Sequence, residues 1–238
     1  MKTLRPLFFA AACAAFAVAC GGSQDTGTAE SMPTVVDEVV EAVPTATVRL
    51  VHASPASPIR VTAGDMAATA EPLSSGTWTT RMDVPAGEHT LTFSPSGGGA
   101  AFATADVDLD ADGNYTVFFV GDNTSAIRAE MPRAIVATDD MAAPTSGRAR
   151  VRFVHAAVGG PAATFSDGSG RGYAAGLAYG AVSSWYDVAG DARTVEIAAD
   201  GATLATLQAP VTGGMNLTVV VVNEGDGLGA LFINETGN

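Results

Sequence analysis

A chain of 238 residues with 47% hydrophobic content is too apolar for a disordered polymer and long enough for two ordinary domains. Its formal charge of −13 repels phosphate, which argues against a nucleic-acid partner. Lys2 is the only lysine, so Schiff-base chemistry and lysine-dependent phosphate loops are excluded from everything after it.

Residues 1–19 read as an export signal. Lys2 and Arg5 are positive, and an uncharged stretch follows from Leu7 to Ala19. That stretch is too short to span a bilayer, which takes about 20 apolar residues, and it suits a signal-peptide core. It ends Ala17-Val18-Ala19-Cys20-Gly21-Gly22, small residues ahead of a cysteine, which resembles the lipobox of bacterial lipoproteins. The resemblance implies cleavage before Cys20, acylation of its sulfur and amine, and anchoring to a membrane. Gly21, standing where an aspartate would signal inner-membrane retention, implies the outer membrane or cell surface. An ordinary secretory cut after Ala19 is the alternative, and would leave a free thiol. The only other cysteine is Cys13, inside the leader, so no disulfide forms within the remaining chain. Residues 20–45 are expected to be an acidic, flexible tether. Val35, Val36, Val39, Val40 and Val43 fall at helical spacing within it, but so short a valine-rich helix is marginal alone.

Beyond the tether, one hexapeptide occurs twice. Val48-Arg49-Leu50-Val51-His52-Ala53 returns as Val151-Arg152-Phe153-Val154-His155-Ala156. Pro58 then pairs with Pro161, Asp83-Val84 with Asp187-Val188, Gly87 with Gly190, and Asn114-Tyr115-Thr116-Val117 with Asn216-Leu217-Thr218-Val219. All these landmarks lie 102 to 104 residues apart, so a whole domain is repeated. Runs rich in Val, Thr, Phe and Ile predict strands at 47–52, 58–63, 77–84, 89–94, 101–109, 115–121 and 133–138. The second repeat predicts them at 149–155, 162–166, 181–188, 193–198, 203–208, 217–223 and 229–234. The expected fold is all-β: two tandem immunoglobulin-like or transthyretin-like β-sandwiches, at 46–141 and 148–238, joined by a linker at 142–147.

Val51-His52-Ala53-Ser54-Pro55, with Pro58, Asp83 to Gly87, Tyr115-Thr116-Val117, and Thr138-Asp139-Asp140 before the second hexapeptide, resembles a bacterial exported family, domain of unknown function 4397. The resemblance implies an envelope or surface protein, often a lipoprotein, and carries over no catalytic residue.

Strand alternation places His52 and His155 on the inward face, where each enters a turn. A buried imidazole bonded to a backbone carbonyl is the first reading. The second is a general base with Ser54 as nucleophile, which Ala157 breaks in the other repeat. His89 has no counterpart. Asp106 stands just before Asp108, Asp110 and Asp112-Gly113, which match the first half of a calcium loop, but Phe119 stands where its final acid belongs. Solvated outer-face aspartates ahead of a turn are the alternative. Arg148, Arg150 and Arg152 alternate along one strand face, which offers a site for an acidic polymer or, the preferred reading, a solvated charged face that discourages edge pairing. Trp78 is expected inward and Trp185 outward, either as a contact for a sugar or protein or covered by the neighbouring domain.

The expectation from these residues is a non-enzymatic, lipid-anchored envelope protein in a structural, adhesive or recognition role. It needs no cofactor and takes a membrane, and a protein or polysaccharide, as partners. The alternatives are a calcium-stabilised adhesin, a carbohydrate-binding module, and a hydrolase using His52 and Ser54.

Overall fold

The computed structural model describes residues 42–64, 66–191 and 194–236. The expected signal peptide, Cys20 and the tether up to residue 41, with most of its valine-rich stretch, lie outside these residues. These described residues all belong to one compact unit.

The first sandwich stacks two four-stranded sheets. One has the order β4-β1-β7-β8, with β1 Thr45–His52, β4 Met82–Pro85, β7 Asn114–Val120 and β8 Arg133–Thr138. The other has the order β3-β2-β5-β6, with β2 Ile59–Ala63, β3 Met66–Ala67, β5 Gly87–Pro95 and β6 Ala103–Leu109. The second sandwich repeats the plan. β9 Arg148–His155, β11 Tyr186–Ala189, β14 Asn216–Glu224 and β15 Gly227–Asn234 run in the order β11-β9-β14-β15. Opposite them lie β10 Thr164–Asp167, β12 Thr194–Ala199 and β13 Ala202–Gln208, in that order.

In both halves the hexapeptide strand pairs in parallel with the central strand of its sheet. His52 lies opposite Phe119 in one, and His155 opposite Val221 in the other. These parallel pairs set the sandwiches apart from an all-antiparallel immunoglobulin arrangement. Both faces of these sheets are covered, which accounts for the unbroken apolar runs Val117–Val120 and Val219–Val222. Inward, Val48, Leu50, Val117 and Phe119 pack on Ile59, Val61, Leu91 and Phe93. Outward, Val51, Phe118 and Val120 pack on Val154, Val220 and Ile233 of the other sandwich. Four sheets are therefore stacked, with an apolar seam between the two sandwiches.

Two expected strands are shorter than their sequence suggests. The runs 77–84 and 181–188 reduce to 82–85 and 186–189. The residues before each make single bridges instead, Trp78 to Val51 and Val182 to Val154. Trp78 is consequently not inward but 40% exposed. The linker is held in place rather than loose: Arg150 Nη1 and Asn216 Nδ2 both donate to the Ala142 carbonyl, at 2.9 and 3.0 Å.

Candidate functional site

Polar chemistry concentrates at the seam. The second residue of each hexapeptide faces away from its own sandwich core, which brings Arg49 and Arg152 into the interface. Each lies directly across its parallel pair from a threonine, Thr116 or Thr218. The residue following each last strand supplies an acid, Asp139 or Glu235, pinned by its backbone N–H to the Asn114 or Asn216 carbonyl. The partners are exchanged across the seam. Arg49 Nη1 donates to Glu235 Oε2 at 2.5 Å, and Arg152 Nη2 donates to Asp139 Oδ1 at 2.5 Å. Thr116 and Thr218 donate to the acid of their own half, at 2.7 Å each.

A fifth ionised group breaks the pairing. Arg81 Nη2 donates to Asp139 at 2.8 Å and to Glu235 at 2.6 Å. The equivalent residue of the second half is Trp185, since each directly precedes the residue paired with Val48 or Val151. Trp185 covers Arg152, with its ring centroid 4.8 Å from the guanidinium carbon, and lies 5.2 Å from that of Arg150. Three guanidiniums thus meet two carboxylates, all with side chains almost wholly buried. Burial lowers the pKa of Arg49, with Glu235 opposing that effect.

This arrangement corrects the reading of Arg148, Arg150 and Arg152 as one solvated face. Arg152 is buried in the cluster. Arg150 instead pairs with the exposed Asp140, and Arg148 donates to the Asp187 carbonyl. Sequence reasoning missed Arg49, Arg81, Asp139 and Glu235. The available signal was an arginine, a threonine and an acid recurring at matched positions in both repeats. Trp185 is half-buried, and the structure places its ring against arginines at the seam.

His52 is fully buried, as alternation implied. Its Nε2 donates to the Ser57 carbonyl at 3.2 Å, and its Nδ1 accepts from the Ser54 backbone N–H at 3.3 Å. Burial lowers its pKa. Ser54 Oγ donates to the Gly121 carbonyl at 2.5 Å, so the hydroxyl is aimed away from the imidazole. In the second half His155 Nε2 donates to the Pro161 carbonyl at 2.9 Å. Ala157 replaces the serine, and the Asn223 side chain ties β14 to the Val158 backbone instead. His89 is bonded to the Pro85 carbonyl.

Asp108 is exposed on the outer face of β6, directly opposite Glu88 on β5. Asp110 accepts from the Tyr115 hydroxyl, and Asp112 takes a positive φ of 60° in the turn. Asp106 accepts from Thr90. Among the described residues no three His, Cys, Asp or Glu side chains are grouped to hold a metal ion.

No curated protein matches the chain. The family described as "Domain of unknown function (DUF4397)" matches residues 46–166, from β1 through the linker into β10. That match takes in the first sandwich, Arg49, Arg81, Asp139 and Arg152, and covers just over half of the sequence. The chain belongs to the DUF4397 family.

Proposed function

We propose that the chain is a non-enzymatic, lipid-anchored envelope protein. Two tandem copies of its domain would form one stiff block with a structural, adhesive or recognition role at the bacterial outer membrane or cell surface. The observation that carries this reading is the leader: a positive start, a short apolar run, and Cys20 as the only cysteine after it. Acyl chains on Cys20 would supply the anchor, since one chain holds only marginally and two or three hold firmly.

The geometry at His52 supports the non-enzymatic part. Both ring nitrogens are engaged by backbone groups, and Ser54 donates to Gly121. A base–nucleophile pair needs a hydrogen bond between the two side chains. The matched topology of the two sandwiches supports duplication. Mass spectrometry of the N-terminal peptide of protein purified from membranes tests the anchor. The expected result is an acylated Cys20, and Cys20→Ala should move the protein out of the membrane fraction. An unmodified thiol, or unchanged fractionation of the variant, would overturn the reading.

A further inference from the structure

The two ends of the seam are closed differently. Beside each histidine a later turn returns to the hexapeptide strand. Gly76 N–H donates to the His52 carbonyl and His52 N–H to the Thr77 carbonyl, as Gly180 and Ala181 do with His155. Ser75-Gly76-Thr77-Trp78 therefore matches Tyr179-Gly180-Ala181-Val182, and Trp78 and Val182 bridge Val51 and Val154 alike. At the Tyr179 turn the end is covered. Arg133, which follows the long connection 121–132 between β7 and β8, stacks on the Tyr179 ring at 4.6 Å and fills the space over Gly180. Glu130 of the same connection lies against Gly159. Only glycine at 121 lets this connection fold back, since a Cβ there would lie 2.5 Å from the Met131 carbonyl oxygen.

At the Ser75 turn that cover is missing. β14 and β15 are joined by Gly225 and Asp226 alone, and Asn223 stands where the first half has Gly121. What remains is an open groove of about 270 Å³, lined by Ser54, Pro55, Ser75 and Gly76 of the first sandwich and by Val222 and Asn223 of the second. That volume lies just under the roughly 300 Å³ at which pockets for drug-sized molecules begin. No lining residue is ionisable, in a chain whose formal charge is −13. The polar groups can be reached from solvent, because Ser75 and Asn223 are both exposed. Ser75 Oγ donates to the Ser54 carbonyl and keeps its lone pairs. Asn223 uses one amide hydrogen and one lone pair on the Val158 backbone and keeps one of each.

Trp78 stands two residues beyond Gly76. Bridged residues of neighbouring strands share a face, so Trp78 projects on the seam side of its sheet with Val51. Its counterpart Val182 packs into the seam, whereas Trp78 is 40% exposed. A large ring with an open face thus sits at the uncovered end. We propose that Trp78 and this groove bind a neutral sugar, a pyranose unit of an oligosaccharide or polysaccharide. The C–H face of the sugar lies on the indole ring, and its hydroxyls exchange hydrogen bonds with Ser75 Oγ and the Asn223 amide. Hydroxyls both donate and accept, as these two side chains do, and the uncharged lining offers nothing to an ion. The site deepens the recognition role proposed above and rests on that reading, but it does not depend on the anchor at Cys20.

Proton–nitrogen NMR titration of the full chain with maltose, cellobiose and N,N′-diacetylchitobiose tests this, with trigalacturonate and arginine as charged controls. At least one neutral disaccharide is expected to shift the amides of Ala53, Ser54, Gly76, Val222 and Asn223 saturably. Trigalacturonate should bind at least about tenfold more weakly. Trp78→Ala should weaken the sugar by at least about tenfold. Ser75→Tyr, which restores the residue of the covered end, should abolish the shifts. Both side chains are exposed, so neither variant repacks a closed core, and unchanged amide positions away from the groove confirm the fold. Absence of shifts with all three disaccharides would overturn the proposal. So would undiminished binding in a folded Trp78→Ala chain, or trigalacturonate binding as tightly as the sugars. Shifts with arginine and with no sugar would overturn it as well, by assigning the groove to a protein side chain of the kind that covers Tyr179. None of these outcomes bears on the anchor, which stands or falls with acylation of Cys20.

Discussion

A single buried carboxylate shows how much the seam depends on individual side chains. Glu235 accepts from Arg49 and Arg81 and lies 3.4 Å from Arg152, with none of its side chain exposed. Removing one partner of such a buried set leaves charge without compensation, which costs about 3–5 kcal/mol. Glu235→Gln is therefore expected to lower the unfolding free energy by that amount in urea denaturation. Arg150→Ala, which breaks the partly exposed pair with Asp140, should cost no more than about 1 kcal/mol. Equal effects of the two substitutions would contradict the account of the cluster.

The histidines make the second argument at this scale. Burial lowers the pKa of His52 from its ordinary 6.5, so below pH 6.5 the unfolded chain takes up a proton that the folded chain refuses. The stability that His52 contributes is complete above pH 6.5. It declines as the pH falls from 6.5 toward the folded-state value. Urea midpoints measured across this interval should fall less steeply with acid in His52→Gln than in the wild type.

Among the elements, neighbouring residues of one strand serve different layers. Phe118 and Phe119 are both fully buried, but Phe119 fills the first sandwich and Phe118 the seam. Phe118→Ala is expected to cost about 3–5 kcal/mol by cavity formation, although the side chain lies outside the core of its own sandwich. Thermal or urea unfolding of that variant checks the seam's apolar half. The outer sheet carries a different tension. Glu88 and Asp108 are like charges directly across a strand pair, an arrangement that costs a few tenths to about 1 kcal/mol. Asp108→Thr should raise the melting temperature with or without added calcium. A calcium-dependent loss of stability in that variant would instead support a cation on this face.

Much of this level is legible in the sequence. The strand runs follow from periodicity and turn residues, and strand alternation puts His52 on the inward face, where it is buried. The fate of Arg152 was not legible. Strand alternation tells which residues share a face but not whether a second sandwich covers it. The clue lay in Val117-Phe118-Phe119-Val120 and Val219-Val220-Val221-Val222, whose unbroken apolarity requires burial on both faces. Arg81 gave no such clue, because its counterpart is Trp185 and the repeat does not mark it.

For the molecule as a whole, the seam joins two sandwiches that share ions, partners and an apolar layer. The shortest ion pairs of Arg49 and Arg152 cross the seam, Arg152 of the second half to Asp139 of the first and Arg49 of the first to Glu235 of the second. A block of this kind would present its outer faces at a fixed spacing, which suits a structural or recognition role in the envelope. The central claim is that both sandwiches fold as one cooperative unit, and the chain carries one tryptophan reporter in each, Trp78 and Trp185. The direct measurement is urea unfolding followed by fluorescence in Trp78→Phe and Trp185→Phe, with circular dichroism recorded on each variant in the same titration. In each variant the remaining tryptophan is predicted to change at the midpoint seen by circular dichroism, in a single transition. A variant whose fluorescence transition is displaced from its circular dichroism transition, or whose circular dichroism shows two steps, would contradict the claim.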